Sequence, residues 1–416
     1  MGNPSREGLA STCTDTIQRM PRDNDVVVIG GCGHVGLPLA LALCDSGLRV
    51  VSYDIDQTAI ATVLGGTMPF QEEGGQAVLE RVLAAGRFQV TSDAGCISRS
   101  EVVIVVIGTP VDEHLNPEPE AVPNAILALR EHLDDGQLIV LRSTIYPGVT
   151  RLVQRRLAER GLDAPLAFCP ERIAEGYAFS ELYSLPQIVS GCSDEAVERA
   201  SALFGRLTGQ VVVVEPEEAE LAKLLTNSWR YMKFAIANQF YSIVNDFGLD
   251  YERVRHAIRH DYPRAADLPG AGFAAGPCLL KDTMQLSAFN NNNFVLGHAA
   301  MMVNEGLPLY VVSRLEQAHS LADKKVGLLG MSFKPESDDV RSSLSYKLRR
   351  ILRFRCSQVL CTDPFVTTDP SLVSLEQVLE ESDLIIIGTP HKAYKGLTLR
   401  QPTVDVTNLL GSGVRV

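Results

Sequence analysis

Short apolar runs broken by glycine recur along the chain and give way to apolar residues at helical spacing. In the stretch DVVVIGGCGHVGLPLALAL, the apolar run of residues 26–29 ends on glycines, and apolar positions then resume three and four apart. This pattern predicts a strand, a tight turn and a helix. Further strands are predicted in LRVVSYDID, which ends at Asp54, and in EVVIVVIGTP.

The same pattern of apolar runs and turns recurs near the C-terminus. KKVGLLGMSFKP, CSQVLCTDPF and DLIIIGTP each contain a short apolar run followed by turn residues, and the last repeats the ending of EVVIVVIGTP. Strands that alternate with helices favour a mostly parallel sheet covered by helices. The sequence therefore predicts two α/β units, one near each end of the chain.

A single long helix is predicted between the two units. Residues 216–248 place apolar side chains three and four apart, with no internal Pro or Gly and with an acidic first turn. Such a helix is about 45 Å long, which suits a connection between domains and packing against a partner subunit. The predicted fold is α/β, with two Rossmann-like doubly wound domains joined by this helix and a small helical domain. Its predicted parts are a flexible tail (1–24), a dinucleotide-binding domain (25–213), a central helical domain (214–320) and a second Rossmann-like domain (321–416).

The glycine turn is the first candidate binding site. Gly31, Gly33 and Gly36 follow a predicted strand, and glycines at this spacing allow a sharp bend and a close approach to a pyrophosphate. Asp54 ends the next strand, where an acid can accept from a ribose hydroxyl, and no arginine lies directly beside it. The pattern predicts NAD rather than NADP, and the alternative is a glycine turn that holds no ligand.

Composition narrows the possible functions. The chain has 416 residues, of which 45% are hydrophobic, and a net charge of -12, which argues against general binding of nucleic acid. Its nine cysteines form no CxxC pair and no zinc-like cluster, so neither disulfides nor a metal site is predicted. No apolar run reaches the length of a membrane span. We therefore expect a cytoplasmic protein with no membrane contact.

One cysteine stands out from the others. Cys278 follows a Gly-Pro step and begins a predicted helix, where the helix dipole and a nearby ammonium both favour a thiolate. On the long helix, Lys223 and Asn227 are four residues apart and share a face. Taken singly, the cysteine could be a buried small side chain, and the lysine and asparagine could be solvated surface residues.

Nine separated motifs, in order, resemble those of the nucleotide-sugar dehydrogenases, the family of UDP-glucose, GDP-mannose and UDP-N-acetylmannosamine dehydrogenases. The resemblance runs from residue 26 to the C-terminus. The motifs are GCGHVGLPLA, YDID, IGTP, RSTIYPG, CPERIAEG, ELAKLLTNS, GPCLLKD, FKPESDDVR and TDP.

The resemblance implies the roles of individual residues. Cys278 corresponds to the nucleophile, Lys223 and Asn227 to the donors that stabilise an oxyanion, and Asp282 to an acid that works with water. Thr144 corresponds to a threonine that orders water. The implied cofactor contacts are Gly31, Gly33, His34, Val35, Gly36, Asp54, Thr109, Thr144, Glu175 and Arg341. The implied substrate contacts are Glu171, Lys223, Asn227, Arg264, Gly272, Phe273 and Lys334.

The chemistry agrees with these roles. Oxidation of a primary alcohol to an acid removes four electrons, and NAD accepts two at a time. A cysteine can hold the intermediate aldehyde as a thiohemiacetal, whose oxidation gives a thioester that water cleaves. The hydrolytic water needs a base, for which Glu171 is the predicted candidate. The alternatives are a two-electron NAD-dependent alcohol dehydrogenase and a nucleotide-binding regulator without activity.

Other points stay open from the sequence. The segment CPERIAEG resembles the N-acetylmannosamine branch more than the UDP-glucose branch, and TDP- or GDP-sugars are further alternatives. Arg264 is predicted to reach a phosphate or a partner's ligand, and could equally be a surface arginine. Ala275 stands where relatives often have glycine. The long helix and the resemblance predict a homodimer or a higher homo-oligomer.

Overall fold

The computed structural model describes residues 22–109, 111–112, 116–414 and 416. Most of the predicted tail, residues 1–21, lies outside these described residues. The last part of that tail is held in place, because Arg22 pairs with Glu101 at 2.7 Å and with Asp134 at 2.6 Å. The first strand begins two residues later, at Asn24.

The first α/β unit is built on an eight-stranded sheet. Its strands are β1 (Asn24–Ile29), β2 (Val50–Tyr53), β3 (Phe88–Thr91), β4 (Ser100–Val105), β5 (Leu138–Leu141), β6 (Leu166–Phe168), β7 (Gln187–Gly191) and β8 (Val211–Val213). The strand order is β3-β2-β1-β4-β5-β6-β7-β8, and every pair is parallel except β6 with β7. The chain order reverses between β1 and β4, so ligands are expected outside the carboxyl ends of these strands.

Helices cover both faces of this sheet. They are α1 (Gly36–Asp45), α2 (Gln57–Leu64), α3 (Gly75–Ala84), α4 (Gly95–Ser98), α5 (Ala121–Ala128), α6 (Val149–Ala158), α7 (Ala178–Ser184) and α8 (Asp194–Phe204). Successive side chains along a strand point to opposite faces of the sheet, and each face has its own hydrophobic core. Val26 and Val28 join one of them, and Val27 and Ile29 join the other. Apolar side chains on both faces are what a parallel sheet buried on both sides requires.

The central region is helical. Its helices are α9 (Pro216–Asp246), α10 (Tyr251–Arg259), α11 (Leu279–Phe289) and α12 (Val295–Ala318). Helix α9 begins in a capping box, in which the backbone N–H of Glu215 donates to Glu218 at 2.9 Å, and Pro216 occupies the first turn. The predicted bounds of 216–248 agree with the structure to within two residues.

Two buried asparagines join α9 to α12. Asn238 donates to Asn304 at 2.9 Å, and Asn304 donates to the carbonyl of Tyr231 at 3.0 Å. Helix α12 has the length and composition of a membrane span, a property that it shares with core helices of soluble proteins. Here its buried face packs against α9 and the second α/β unit, through residues that include Leu307 and Val311.

The second α/β unit is a four-stranded parallel sheet, as predicted. It contains β9 (Lys325–Leu329), α13 (Leu344–Leu352), β10 (Gln358–Thr362), α14 (Leu375–Glu381), β11 (Leu384–Ile387) and β12 (Thr403–Val404), with the strand order β10-β9-β11-β12. The two units share one hydrogen-bonding arrangement, in which an aspartate that follows a strand accepts from a backbone N–H. After β2, Asp54 accepts from the N–H of Cys32 at 2.9 Å, and after β10, Asp363 accepts from the N–H of Met331 at 2.6 Å.

The buried carboxylate of Asp363 contributes to the free energy of unfolding, and this contribution can be tested. Burial alone raises its pKa, but His391, at 3.0 Å, and four backbone N–H donors outweigh burial and lower the pKa to about 2. A carboxyl whose pKa falls on folding stabilises the fold above its unfolded pKa and loses that contribution as the pH falls through its folded pKa. Asp363→Asn is expected to lower the free energy of unfolding by about 2 kcal/mol at pH 7. In urea titrations this deficit should shrink between pH 4 and pH 2, and a deficit independent of pH would contradict the assignment.

Candidate functional site

The glycine turn after β1 has the shape that NAD needs. A side chain at Gly36 would place its Cβ 2.1 Å from the carbonyl oxygen of Gly30, so α1 can approach the turn only with glycine at this position. At Gly33 the nearest such atom is 3.7 Å away, which leaves the outer face of the turn open. Asp54 lies at the carboxyl end of β2, with one oxygen on the turn. The residues present therefore fit a dinucleotide.

The second α/β unit reaches the glycine turn through Arg341. The ring of His34 packs on Phe70 at 4.2 Å between centroids, and burial, followed by the nearby charge of Arg341, lowers the pKa of His34. Arg341 pairs with Asp339 at 2.6 Å and with Glu175 at 3.3 Å. The predicted contacts His34, Glu175 and Arg341 therefore come together where the two units meet.

Cys278 lies at the N-terminal cap of α11, and its side chain is exposed. The turn before it requires glycine at Gly276, where φ is +110° and a Cβ would lie 2.6 Å from the ring of Phe333. Ala275 is not among the non-glycine residues with positive φ. Its methyl group therefore causes no strain of this kind in the cysteine loop.

Asp282, one turn into α11, joins the elements of the site. Its side chain is fully buried. It accepts from Nδ2 of Asn227 on α9 at 2.5 Å and lies 2.8 Å from Nζ of Lys281. Lys281 also donates to Oγ1 of Thr109, which follows β4 in the cofactor domain, at 3.2 Å. The acid is thereby connected to the long helix on one side and to the cofactor domain on the other.

The thiol of Cys278 has surroundings that the sequence interpretation did not include. Desolvation, followed by the negative charge of Asp282, raises the pKa of Cys278, while Lys223 and Lys281 lower it and Glu175 raises it. The net shift is upward. This direction is opposite to the one expected from the sequence, because that expectation counted the ammonium groups and left out the carboxylates and the desolvation.

Both carboxylate oxygens of Glu171 accept hydrogen bonds. Its Oε2 accepts from the buried guanidinium of Arg142 at 2.5 and 3.0 Å, and its Oε1 accepts from the N–H groups of Arg172 at 2.7 Å and Ile173 at 3.0 Å. Arg142 also donates to Gln187 at 3.0 Å. The four hydrogen bonds occupy the acceptor sites of both carboxylate oxygens. The role of Glu171 as a base stays a prediction.

Glu175 has the features of a proton-transfer group. Desolvation, followed by the charge of Asp339, raises its pKa. Its Oε1 accepts from Arg341 at 3.3 Å, and Oε2 has no hydrogen-bond partner among the described residues. Lys334 faces the same carboxylate, and its ammonium lies 5.9 Å from the ring centre of Tyr177. The raised pKa and the free oxygen are features of a carboxylate that can take up a proton.

Glu72 positions the loop that carries Glu175, and the sequence interpretation missed it. Its Oε2 accepts from the N–H of Gly176 at 2.8 Å, and its Oε1 accepts from the N–H of Ala178 at 2.7 Å. Glu72 lies 103 positions before Glu175 in the sequence, within QEEGG, where no periodicity or spacing marks it. Only tertiary structure brings the two together.

Glu72→Gln is expected to lower kcat about 10-fold and to lower Tm by a few degrees. The amide retains one acceptor and turns an NH2 group toward the second N–H donor, which leaves a mismatched pair worth about 1–3 kcal/mol. The loop then no longer holds Glu175 in place. Glu73→Gln removes the same charge from the neighbouring exposed side chain and serves as the control. Equal kcat values for the two variants would contradict this role.

A small cleft lies at the carboxyl ends of β4 and β5. It is lined by Thr109, Thr144 and Tyr146 from the first unit and by Gln285 from α11. Because Asp54 marks the other half of the sheet, this cleft is on the side where the far end of a dinucleotide is expected. The predicted cofactor contacts Thr109 and Thr144 are therefore brought together.

The remaining predicted substrate contacts lie around the cysteine loop or beyond it. Gly272 is held by Asn238, which donates to its carbonyl at 3.0 Å and accepts from its N–H at 2.9 Å. Phe273 packs against the core of the second unit. Arg264 lies 5.7 Å from the ring of Tyr262 on an exposed turn, Pro263–Ala265. Within the described residues, no group of His, Cys, Asp and Glu has the arrangement of a metal site.

Comparison with known proteins gives matches along most of the chain. Three models of the UDP-glucose/GDP-mannose dehydrogenase family match it. They are the NAD binding domain at residues 24–208, the central domain at 217–305 and the UDP binding domain at 327–411. A relative named UDP-N-acetyl-D-mannosamine dehydrogenase, from Pyrococcus horikoshii, is 31% identical over 89% of this chain and 90% of its own length.

Solved structures agree with these matches. A UDP-D-ManNAc dehydrogenase from Pyrococcus horikoshii superposes with a TM-score of 0.86 at 28% identity, covering 94% of this chain and 97% of the other. A UDP-glucose dehydrogenase from Pyrobaculum islandicum gives 0.84 at 27%, covering 93% and 95%. The predicted resemblance, the doubly wound fold and the NAD cofactor are confirmed. The chain belongs to the UDP-glucose/GDP-mannose dehydrogenase family of NAD-dependent oxidoreductases.

Proposed function

We propose that the protein oxidises the C6 hydroxyl of a nucleotide-diphospho-hexose to the uronic acid in two steps, with Cys278 as the covalent nucleophile. The observation that carries this proposal is the position of the Cys278 thiol at the cap of α11, one turn before Asp282, which binds Asn227 at 2.5 Å and lies 2.8 Å from Lys281. A site that only binds a nucleotide, or that removes two electrons from an alcohol, has no need of that thiol.

The first step yields an aldehyde, which the thiol then captures. When bound, NAD accepts one hydride in each oxidation. The sulfur of Cys278 bonds to the aldehyde carbon, the carbonyl oxygen becomes an oxyanion, and the thiol proton leaves to a base. Lys223 provides an ammonium beside the thiol, and Asn227 has a second amide hydrogen besides the one on Asp282. Each donor directed at this oxygen lowers the barrier by about 3 kcal/mol.

The thiohemiacetal is oxidised to a thioester, and water then cleaves it. Water adds to the thioester carbon, the carbon–sulfur bond breaks, and the products are the carboxylate and the free thiol. We assign the base for this water to Glu175, because its carboxyl pKa is raised and one of its oxygens is free. In place of the base role expected from the sequence, we propose that Glu171 holds the loop that carries Glu175, because it accepts from the N–H groups of Arg172 and Ile173.

The proposed substrate is a UDP-N-acetylhexosamine. Relatives named for UDP-N-acetyl-D-mannosamine match about nine-tenths of the chain, and the segment CPERIAEG resembles that branch. The second α/β unit matches a UDP binding domain. Lys334 lies 5.7 Å from the ring of Phe333, which packs on the cysteine loop, and this proximity supports the proposal that its ammonium binds the diphosphate.

A panel of nucleotide sugars tests the substrate. UDP-N-acetylmannosamine, UDP-glucose, a TDP-sugar and GDP-mannose are each incubated with the protein and NAD, and NADH is followed by its absorbance. The expected result is the highest kcat/KM with UDP-N-acetylmannosamine. A preference for UDP-glucose or GDP-mannose would contradict the substrate but not the chemistry, whereas no NADH from any of the four would contradict the proposed function.

The protein is proposed to act as a homodimer. One surface of α9 carries exposed apolar side chains that include Trp229, Ile236 and Phe240, and α12 adds Met302. Exposed apolar patches of this kind mark interfaces between proteins. Light scattering coupled to gel filtration is expected to give twice the 45.3 kDa mass of the chain. An active protein that elutes only as a monomer would contradict this assignment.

A further inference from the structure

Gln285 on α11 is a buried polar side chain that the chemistry described above does not use. It is 2% exposed, and its Oε1 has no hydrogen-bond partner among the described residues. A buried amide oxygen without a partner has lost its hydrogen bonds to water and gained none in return. Most buried polar groups are satisfied, so an exception calls for an explanation.

The surroundings of Gln285 indicate what would satisfy it. The side chain lines the cleft that also contains Thr109, Thr144 and Tyr146. Thr109 and Thr144 follow β4 and β5, on the opposite side of the sheet's switch point from Asp54. Asp54 occupies the position that suits the ribose of the adenosine half. The cleft is therefore at the nicotinamide half of the cofactor site.

The position of Gln285 along α11 connects this cleft to the reacting thiol. Cys278 caps the helix, Asp282 follows one turn later, and Gln285 lies almost one further turn along. Residues spaced by three and four share one face of a helix. The helix therefore presents the thiol, the acid and the amide in order, and Lys281 fastens this helix to Thr109 at 3.2 Å.

We infer that Gln285 binds the carboxamide of the nicotinamide ring. A primary amide carries one acceptor and an NH2 donor, and the glutamine side chain carries the same pair. Two such groups can exchange a donor and an acceptor, which would satisfy the buried oxygen and fix the rotation of the ring. Fixing the ring selects which of its faces is turned toward the substrate. The inference rests on the NAD dependence of the family and is independent of the proposed sugar substrate.

Binding measurements with two ligands test this inference without turnover. NADH carries the carboxamide, and ADP-ribose lacks the nicotinamide ring altogether. In Gln285→Leu, the Kd of NADH is expected to rise about 10-fold, equivalent to about 1.4 kcal/mol, whereas the Kd of ADP-ribose stays unchanged. Fluorescence gives the NADH value and calorimetry gives the ADP-ribose value.

Two further variants make the test decisive. Gln210→Leu makes the same chemical change at an exposed position on the far edge of the sheet and should affect neither ligand. Gln285→Met keeps the length of the side chain and replaces Gln285→Leu if the latter does not fold. An unchanged Kd for NADH would overturn the inference. Equal weakening of NADH and ADP-ribose would also overturn it, because that result indicates a structural role only.

Discussion

Replacing Cys278 by serine is expected to lower the rate of acid formation by about 10⁴-fold or more. A serine hydroxyl at this position lacks both the nucleophilicity of sulfur and a pKa within reach of the surrounding groups. Lys223 and Lys281, which favour a thiolate product, cannot bring a hydroxyl into that range. Acid formation is measured by chromatography of the nucleotide sugars.

The control for this variant is Cys192→Ser, a change at a half-buried cysteine away from the site. It should leave the rate of acid formation unchanged. The Cys278→Ser variant itself should bind NADH normally, since its thiol lies outside the cofactor contacts. Acid formation by Cys278→Ser at a rate near that of the unchanged protein would contradict covalent catalysis.

Asp282→Asn is expected to move two measured rates in opposite directions. The carboxylate orients Asn227 and Lys281, so its loss should lower kcat by about 10²- to 10³-fold. The same carboxylate raises the pKa of Cys278. Its removal should therefore lower that pKa, and the thiol should react faster with iodoacetamide at neutral pH.

Peptide mass spectrometry of Cys278 between pH 6 and pH 10 measures the second rate. The midpoint of alkylation in Asp282→Asn should lie below that of the unchanged protein. A loss of kcat together with slower alkylation would contradict the electrostatic account, because it indicates a collapsed site. Thermal melting separates this case from unfolding.

Local signals were sufficient to predict much of the fold. Helix α9 was predicted within two residues because Pro216 and an acidic first turn mark its start and Gly248 follows its end. A helix beginning near Cys278 was likewise predicted, and α11 begins at the next residue, Leu279. These signals act within a few residues of one another, where sequence spacing and spatial proximity coincide.

The charged and polar pairs of the site, unlike these helix signals, join residues that are far apart in the sequence. Arg142 and Glu171 lie 29 positions apart, just after the neighbouring strands β5 and β6, and Asn227 and Asp282 lie 55 apart on two helices. No periodicity predicts which buried cation meets which carboxylate. Desolvation, followed by the charge of Asp282, raises the pKa of the Cys278 thiol, and the sequence pattern around the cysteine indicates neither effect.

Gln285 shows where a sequence signal was present but unused. It lies seven positions after Cys278 on a predicted helix, a spacing that returns to the same face after two turns. A polar residue on the face that carries the nucleophile could have been singled out from that spacing alone. Its burial, and its lack of a partner within the described part of the chain, required the structure.

The central claim is that one site removes four electrons from its substrate and holds the aldehyde on Cys278 between the two oxidations. The most direct measurement is the number of NADH molecules formed per molecule of nucleotide sugar consumed, at completion and with limiting substrate. The account predicts two NADH per sugar, with the uronic acid as product and no free aldehyde trapped by hydroxylamine. One NADH per sugar, with aldehyde as the product, would contradict it.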